Sequence, residues 1–223
     1  MTVKIMIDPG HGGSDPGAVG NGLKEKDLTL QIAIKTKDYL DKHYTGHITR
    51  LTRQGDSTLS LNARTNMANE WGADYFLSIH VNAGGGTGYE DFIYNGKVQA
   101  ETSRLRDHIH DLTSKAVDWK NRGKKRANFH VLRETRMPAM LTENGFIDSK
   151  ADSDKLKQNS TINAIAKAHA EGLAKAFKLP KKEVESPKKM YYVQVGAFKE
   201  RANAEKRLQE AKKYFPDAFI KTE

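Results

Sequence analysis

Three short stretches of this sequence place chemistry-bearing side chains at the ends of apolar runs. They are Ile5-Met6-Ile7-Asp8-Pro9-Gly10-His11, Leu77-Ser78-Ile79-His80-Val81-Asn82 and Leu141-Thr142-Glu143-Asn144-Gly145. Each run reads as a buried strand. In a parallel sheet the polar groups that follow emerge along one carboxyl edge, where ligands bind. Two imidazoles and a carboxylate meeting there have the composition of a catalytic zinc site, which needs three protein ligands and one open position. A second glutamate, Glu25, follows Gly22-Leu23-Lys24 in the loop between His11 and the first helix. Two glutamates are thus on hand for two different tasks. Taken singly, each residue has a plainer explanation: a histidine in a solvated turn, a solvated loop glutamate, and for Glu143 a structural salt bridge, since an unpaired buried carboxylate is costly.

The elements that must position these groups alternate. Val3–Asp8 reads as a first strand, broken by Pro9, whose φ is fixed, and by glycines that tolerate positive φ. Leu28–Tyr39 reads as a helix with Asp27 as its N-cap, followed by a strand at Ile48–Thr52. Ser60–Trp71 reads as a second helix with Gly72 just past its end. Tyr75–His80 follows as a central strand, then a mobile or tightly turning glycine-rich loop at Asn82–Gly88 and an edge strand at Tyr89–Tyr94. A third helix covers Gln99–Val117. The basic run Lys120–Arg126 reads as a solvated loop, Phe129–Leu132 and Ala139–Thr142 as strands, and Thr161–Phe177 as a closing helix. The expected fold is α/β: a mostly parallel twisted sheet with helices on both faces.

Composition then shifts. Residues 178–189 hold two prolines and five lysines, as a linker does. Beyond it, Tyr191–Phe198, Ala202–Tyr214 and Ala218–Lys221 read as a small C-terminal β-α-β unit, too small to bury a convincing core alone. The organisation expected is therefore 1–177, a linker at 178–189, and 190–223. The chain has no cysteine, which removes disulfides and thiolate metal sites and leaves His, Asp and Glu as ligands. No window is long and apolar enough to insert into a membrane, and Met1-Thr2-Val3-Lys4 enters the first strand directly, so no signal peptide is expected. The formal charge is +9, from 37 Lys+Arg against 28 Asp+Glu, and favours polyanionic partners. It is dispersed and accompanies no nucleic-acid motif, so nucleic acid is not expected among them.

Four motifs together resemble one family. Asp-Pro-Gly-His11-Gly-Gly, Gly-Leu-Lys-Glu25, Leu-Ser-Ile-His80-Val-Asn and Thr-Glu143-Asn-Gly-Phe-Ile occur in order over residues 3–177, as in the zinc-dependent type-3 N-acetylmuramoyl-L-alanine amidases. The resemblance implies a hydrolase that cuts peptidoglycan between the lactyl group of N-acetylmuramic acid and L-alanine. It implies His11, Glu25 and His80 as zinc ligands and Glu143 as the catalytic acid/base. Residues 190–222 are similar to half of a sporulation-related repeat, which binds peptidoglycan glycan strands and normally runs to two such halves. The half-repeat is expected to dimerise or to serve as an accessory patch. These resemblances point to an autolysin of the sporulating mother cell or to a phage endolysin. Made in the cytoplasm, it would reach the wall on lysis or holin-type release and be drawn there by anionic wall polymers. A non-catalytic peptidoglycan-binding protein with a degenerate amidase domain is the alternative.

Three further residues are candidates for substrate contact. His130 and Arg133, in Phe-His-Val-Leu-Arg, either bind the glycan or substrate carboxylates or fill structural roles. Asn82 either orients substrate or closes a turn. His43, His47, His108, His110 and His169 are expected to be structural or solvated. His108 and His110, two apart on a helix, do not face one another.

Overall fold

The computed structural model describes residues 2–182 and 194–221. The chain divides into two compact units, Met1–Lys182 and Glu183–Glu223. In the first, β1 (Val3–Pro9) lies at the heart of a six-stranded sheet, between β4 (His47–Leu51) and β5 (Tyr75–Asn82) and parallel to both. β8 (Ala139–Phe146) runs parallel to β5 on its other side. β6 (Tyr89–Tyr94) then pairs antiparallel with β8, and β7 (Asn121–Ala127) closes the order β4-β1-β5-β8-β6-β7. The small hairpin of β2 (Val19–Gly20) and β3 (Leu23–Lys24) stands apart from that sheet.

Side chains on a strand alternate between faces, and β1 feeds two cores accordingly. Ile5 and Ile7 join a large cluster with residues of α1 (Glu25–His43), α3 (Ala100–Thr113) and α6 (Asn159–Phe177). Met6 joins a smaller cluster with residues of α2 (Leu61–Trp71) and α4 (His130–Arg133). Helices therefore cover both faces, which is why the central strands are apolar throughout. Among the described residues no helix is long and apolar enough to cross a membrane.

Several elements differ from the sequence expectations. The basic run is not a loop: Asn121–Ala127 is an edge strand, with Arg122 and Lys125 paired to Glu90 and Lys124 to Asp107. Lysines on an edge strand discourage pairing with other chains. With β7 outside it, β6 is internal rather than an edge. Phe129–Leu132 is not a strand, because α4 winds there to bury Val131 and Leu132 in the smaller cluster. α1 begins at Glu25, three residues before the apolar periodicity, with Lys24 rather than Asp27 at the cap position. Helix α5 (Lys150–Leu156), capped by Ser149, had no periodicity long enough to announce it.

The reach of the first unit also extends past the expected boundary at 177. Lys178 adopts left-handed geometry at the end of α6, and Leu179 is buried in the large cluster. The backbone N–H of Lys182 donates to the His43 carbonyl. In the second unit, α7 (Arg201–Lys212) matches the expected helix, but Gln194–Phe198 and Ala218–Lys221 form no strands. Tyr191–Val193 lie outside the described residues, as does most of the expected linker.

Candidate metal centre

The turn after β1 is built to hold His11 in a conformation it would not choose. His11 has φ 60°, a left-handed value that costs a non-glycine residue roughly 1–3 kcal/mol. Two buried arginines over-determine it. Arg64, from α2, donates to the carbonyls of Pro9 (2.7 Å) and His11 (2.6 Å) and to the Asp8 carboxylate (2.8 Å). Arg53, just past β4, donates to the carbonyls of Pro9 (3.1 Å) and Gly10 (2.8 Å). Asp8 is itself buried and accepts from the hydroxyls of Thr52 (2.6 Å) and Ser78 (2.8 Å), so its charge is fully matched. Buried charges are tolerated when every lone pair is satisfied in this way.

Glu25 sits at the centre of the constellation. Opening α1 rather than lying in a flexible loop, it is buried and tied by backbone on both sides. Its Oε1 accepts from the Val81 N–H (3.0 Å) and its Oε2 from the Ala18 N–H (2.9 Å). The same two oxygens face His80 Nδ1 at 2.9 Å and His11 Nε2 at 3.1 Å. The other ring nitrogen of His11 meets Asp15 at 2.8 Å, which fixes which nitrogen turns toward Glu25. The candidate ligand atoms of His11, Glu25 and His80 all lie within 4.8 Å of one another. Among the described residues no other group of three such side chains converges in this way.

Electrostatics sorts the two glutamates. Burial alone would raise the Glu25 pKa, but the hydrogen bonds and charges of His11 and His80 hold it well below the usual carboxylate range. Burial would likewise depress His11, and Glu25 and Asp15 reverse that, so its pKa is raised. Glu143 has no such help. Burial pushes its pKa well above the ordinary value, the charges of Glu25 and Glu90 add to the effect, and its Oε2 has no hydrogen-bond partner among the described residues. One carboxyl is thus held ionised and its neighbour is driven toward the protonated form, the usual signature of divided acid–base roles.

These groups line one cleft of about 580 Å³, within the range of small-ligand sites. Two glycines make room for it. A Cβ on Gly10 would lie 2.3 Å from the His80 ring, and one on Gly17 would lie 2.6 Å from both Glu25 Oε2 and the His11 ring. Asn82 and His130 reach the cleft. Asn82 does so while closing a turn, its amide donating to Glu90 (2.9 Å) and its Oδ1 accepting from the Ala83 N–H. His130 carries a buried Nε2 without a partner. Arg133 is not brought there: it pairs with Glu134 and Asn128 and lines a separate cavity. His110 is bound to Asp91, His47 to Asp41, and His169 is buried between Thr142 and the Ile165 carbonyl.

Sequence reasoning missed Asp8, Asp15, Arg53 and Arg64. One signal for Arg64 was present. It falls with Thr65 and Ala68 on the inward face of α2, where an arginine needs a buried acid to answer it.

Comparison with known proteins then settles the family. Residues 5–175 match the family model described as N-acetylmuramoyl-L-alanine amidase. The chain belongs to the N-acetylmuramoyl-L-alanine amidase family. Residues 163–223 also match the SPOR domain model. Sporulation-specific N-acetylmuramoyl-L-alanine amidase of Bacillus subtilis is 58% identical over 91% of this chain and 78% of its own length. The endolysin of Bacillus phage SPP1 is 42% identical over 85% of this chain and 72% of its own. Among solved structures, the catalytic domain of an amidase from Bacillus (Paenibacillus) polymyxa var. colistinus superposes with a TM-score of 0.75 at 30% identity. That match covers 80% of this chain and 99% of that one. An amidase of this family is a hydrolase of peptidoglycan.

Proposed function

We propose that His11, Glu25 and His80 hold a zinc ion and that Glu143 serves as acid/base. The reaction is hydrolysis of the amide joining the lactyl group of N-acetylmuramic acid to L-alanine. The observation that carries this reading is the convergence of three ligand atoms beside a carboxyl that nothing else satisfies. Two imidazoles and one carboxylate suit zinc, which would supply a water of lowered pKa and polarise the scissile carbonyl. Within the chain, Glu25 is locked by two backbone N–H groups and Asp15 fixes the His11 ring, so the ligand set is in place before any ligand arrives. In its ionised form Glu143 takes a proton from the attacking water and passes it to the departing L-alanine nitrogen. Its raised pKa suits it to hold that proton between the two steps. Asn82 and His130 offer polar contacts to the muramoyl group along the cleft wall.

The first unit, expected to end at 177 and reaching Lys182, is then the catalytic domain, and 190–223 an accessory wall-binding half-repeat. Relatives of both kinds, a sporulation enzyme and a phage endolysin, support action on the wall after lysis or holin-type release. Attraction of the +9 chain to anionic wall polymers supports the same site of action. Mass spectrometry of digested peptidoglycan tests the reaction. Free lactyl ends and N-terminal L-alanine are expected, lost on adding a chelator or in Glu143→Ala; glycosidic cleavage products instead would overturn it. Sedimentation of the full chain against residues 1–182 tests pairing through the half-repeat, and two monomers would dismiss it.

A further inference from the structure

Arg133 leads to a second cavity. It measures about 210 Å³ and lies at the opposite edge of the sheet from the metal centre, between the end of β6 and the start of β8. Ala139, Leu141 and Glu143 share one face of β8. Ala139 lines this second cavity, and Leu141 and Glu143 line the cleft, so the two follow one another along one face of β8. The buried pair Val131 and Leu132 of α4 packs between them.

The chemistry of this cavity differs from that of the cleft. Lys97, Arg133 and Arg136 line it together with Gln99, Thr102 and Thr135, and no Asp or Glu lines it. Arg133 is partly answered by Glu134, but the side chains of Lys97 and Arg136 have no ion pair among the described residues. The surroundings reinforce the sign. Residues 120–136 hold seven Lys and Arg and one acid, Glu134; Arg122 and Lys125 are answered by Glu90 and Lys124 by Asp107, while Arg126 at the end of β7 donates to the Tyr94 and Gly96 carbonyls beside the cavity. A volume of 210 Å³ is below the usual range for a small-molecule pocket and admits a single anionic group rather than a disaccharide. Donors from two chain segments, 97–102 and 133–136, surround it, and guanidinium groups bind tetrahedral phosphate oxygens in pairs.

We propose that this cavity binds phosphate groups of a phosphodiester-linked anionic wall polymer, anchoring the amidase while its cleft works on the peptidoglycan. The proposal rests on the wall as substrate. Its position on the far edge lets both sites engage at once, and linked binding of this kind raises avidity without new contacts in the cleft.

The test is binding of the full chain to two wall preparations, one retaining its phosphate polymer and one stripped of it by hydrofluoric acid. Lys97→Gln/Arg136→Gln is compared with the unchanged protein, both in a Glu143→Gln background so that the wall is not digested. Loss of two charge-assisted contacts should weaken binding to the phosphate-bearing wall about tenfold or more and flatten its salt dependence. Binding to stripped wall, and stem-peptide release from it by the variant with Glu143 intact, should not change. Equal weakening on both walls would overturn the proposal in favour of a stem-peptide carboxylate. Unchanged binding on both would overturn it outright. Competition by inorganic phosphate as strong as that of the polymer would replace it with a small free anion. Absence of stem-peptide release from stripped wall by the unchanged protein would count against the amidase reading alone, since polymer binding is measured separately.

Discussion

The turn after β1 and the end of β8 meet at the same sheet edge and are built on opposite principles. Around Pro9–His11 the carbonyls and the side chains are answered: Arg53 and Arg64 hold the carbonyls, Thr52 and Ser78 hold Asp8, and Asp15 holds the histidine ring. At Glu143 the fold withholds a partner and leaves a buried carboxyl oxygen unsatisfied. In the proposed mechanism the group that must only stay in place is over-determined, whereas the one that would gain and lose a proton is kept in tension with its surroundings.

The largest effect expected from breaking this contrast is at Glu143. Glu143→Gln should lower turnover about 10²- to 10⁴-fold. It should leave the melting temperature unchanged or higher, because an unpaired buried carboxyl is removed. A clear fall in stability would mean that Glu143 is a structural residue after all. Next comes Arg64→Met, which strands the Asp8 charge and should cost about 3–5 kcal/mol in denaturant unfolding. Adding Asp8→Asn should recover part of that loss; a single-variant cost under about 1 kcal/mol would show that the clamp does not hold the turn.

His169 gives a pH test of the scaffold beneath the site. It is fully buried, and burial depresses its pKa from 6.5 to about 4. The folded state therefore resists a proton that the unfolded chain accepts. Stability is complete above pH 6.5 and is lost as pH falls toward 4, by on the order of 3 kcal/mol. His169→Gln should flatten that window. Its neighbour Thr142 accepts from Asn144, which in turn donates to the His80 carbonyl, so acid should loosen the metal centre as well. The smallest effect is expected at Asp15. Asp15→Asn should weaken zinc binding about 10- to 100-fold by equilibrium dialysis, with the fold intact. No change there would make Asp15 an incidental neighbour.

The strands of the core and the positions of His11, His80 and Glu143 were legible because local rules govern them. An apolar run ending in Pro and Gly admits few other conformations, and strand ends fall at one edge once the sheet is parallel. Ser60 and Gly72 marked α2 for the same reason: a hydroxyl cap and a left-handed glycine act within a few residues. Failures occurred where a distant partner decides. β7 is a strand because Glu90 and Asp107 answer its cations, and α4 is a helix because the smaller cluster receives Val131 and Leu132. Arg133 was a candidate for substrate contact because it precedes the strand that ends in Glu143, yet the turn of α4 sends it to another cavity.

By itself the sequence determined which residue types reach the catalytic edge, and it excluded cysteine from the ligand set. Only the tertiary structure brought Glu25 between the two histidines, because its two oxygens are oriented by N–H groups from Ala18 and Val81, residues 7 and 56 positions away. Only the tertiary structure likewise set the two glutamates apart. Ionisation depends on desolvation and on the charges a fold brings near, and neither quantity is written along the chain.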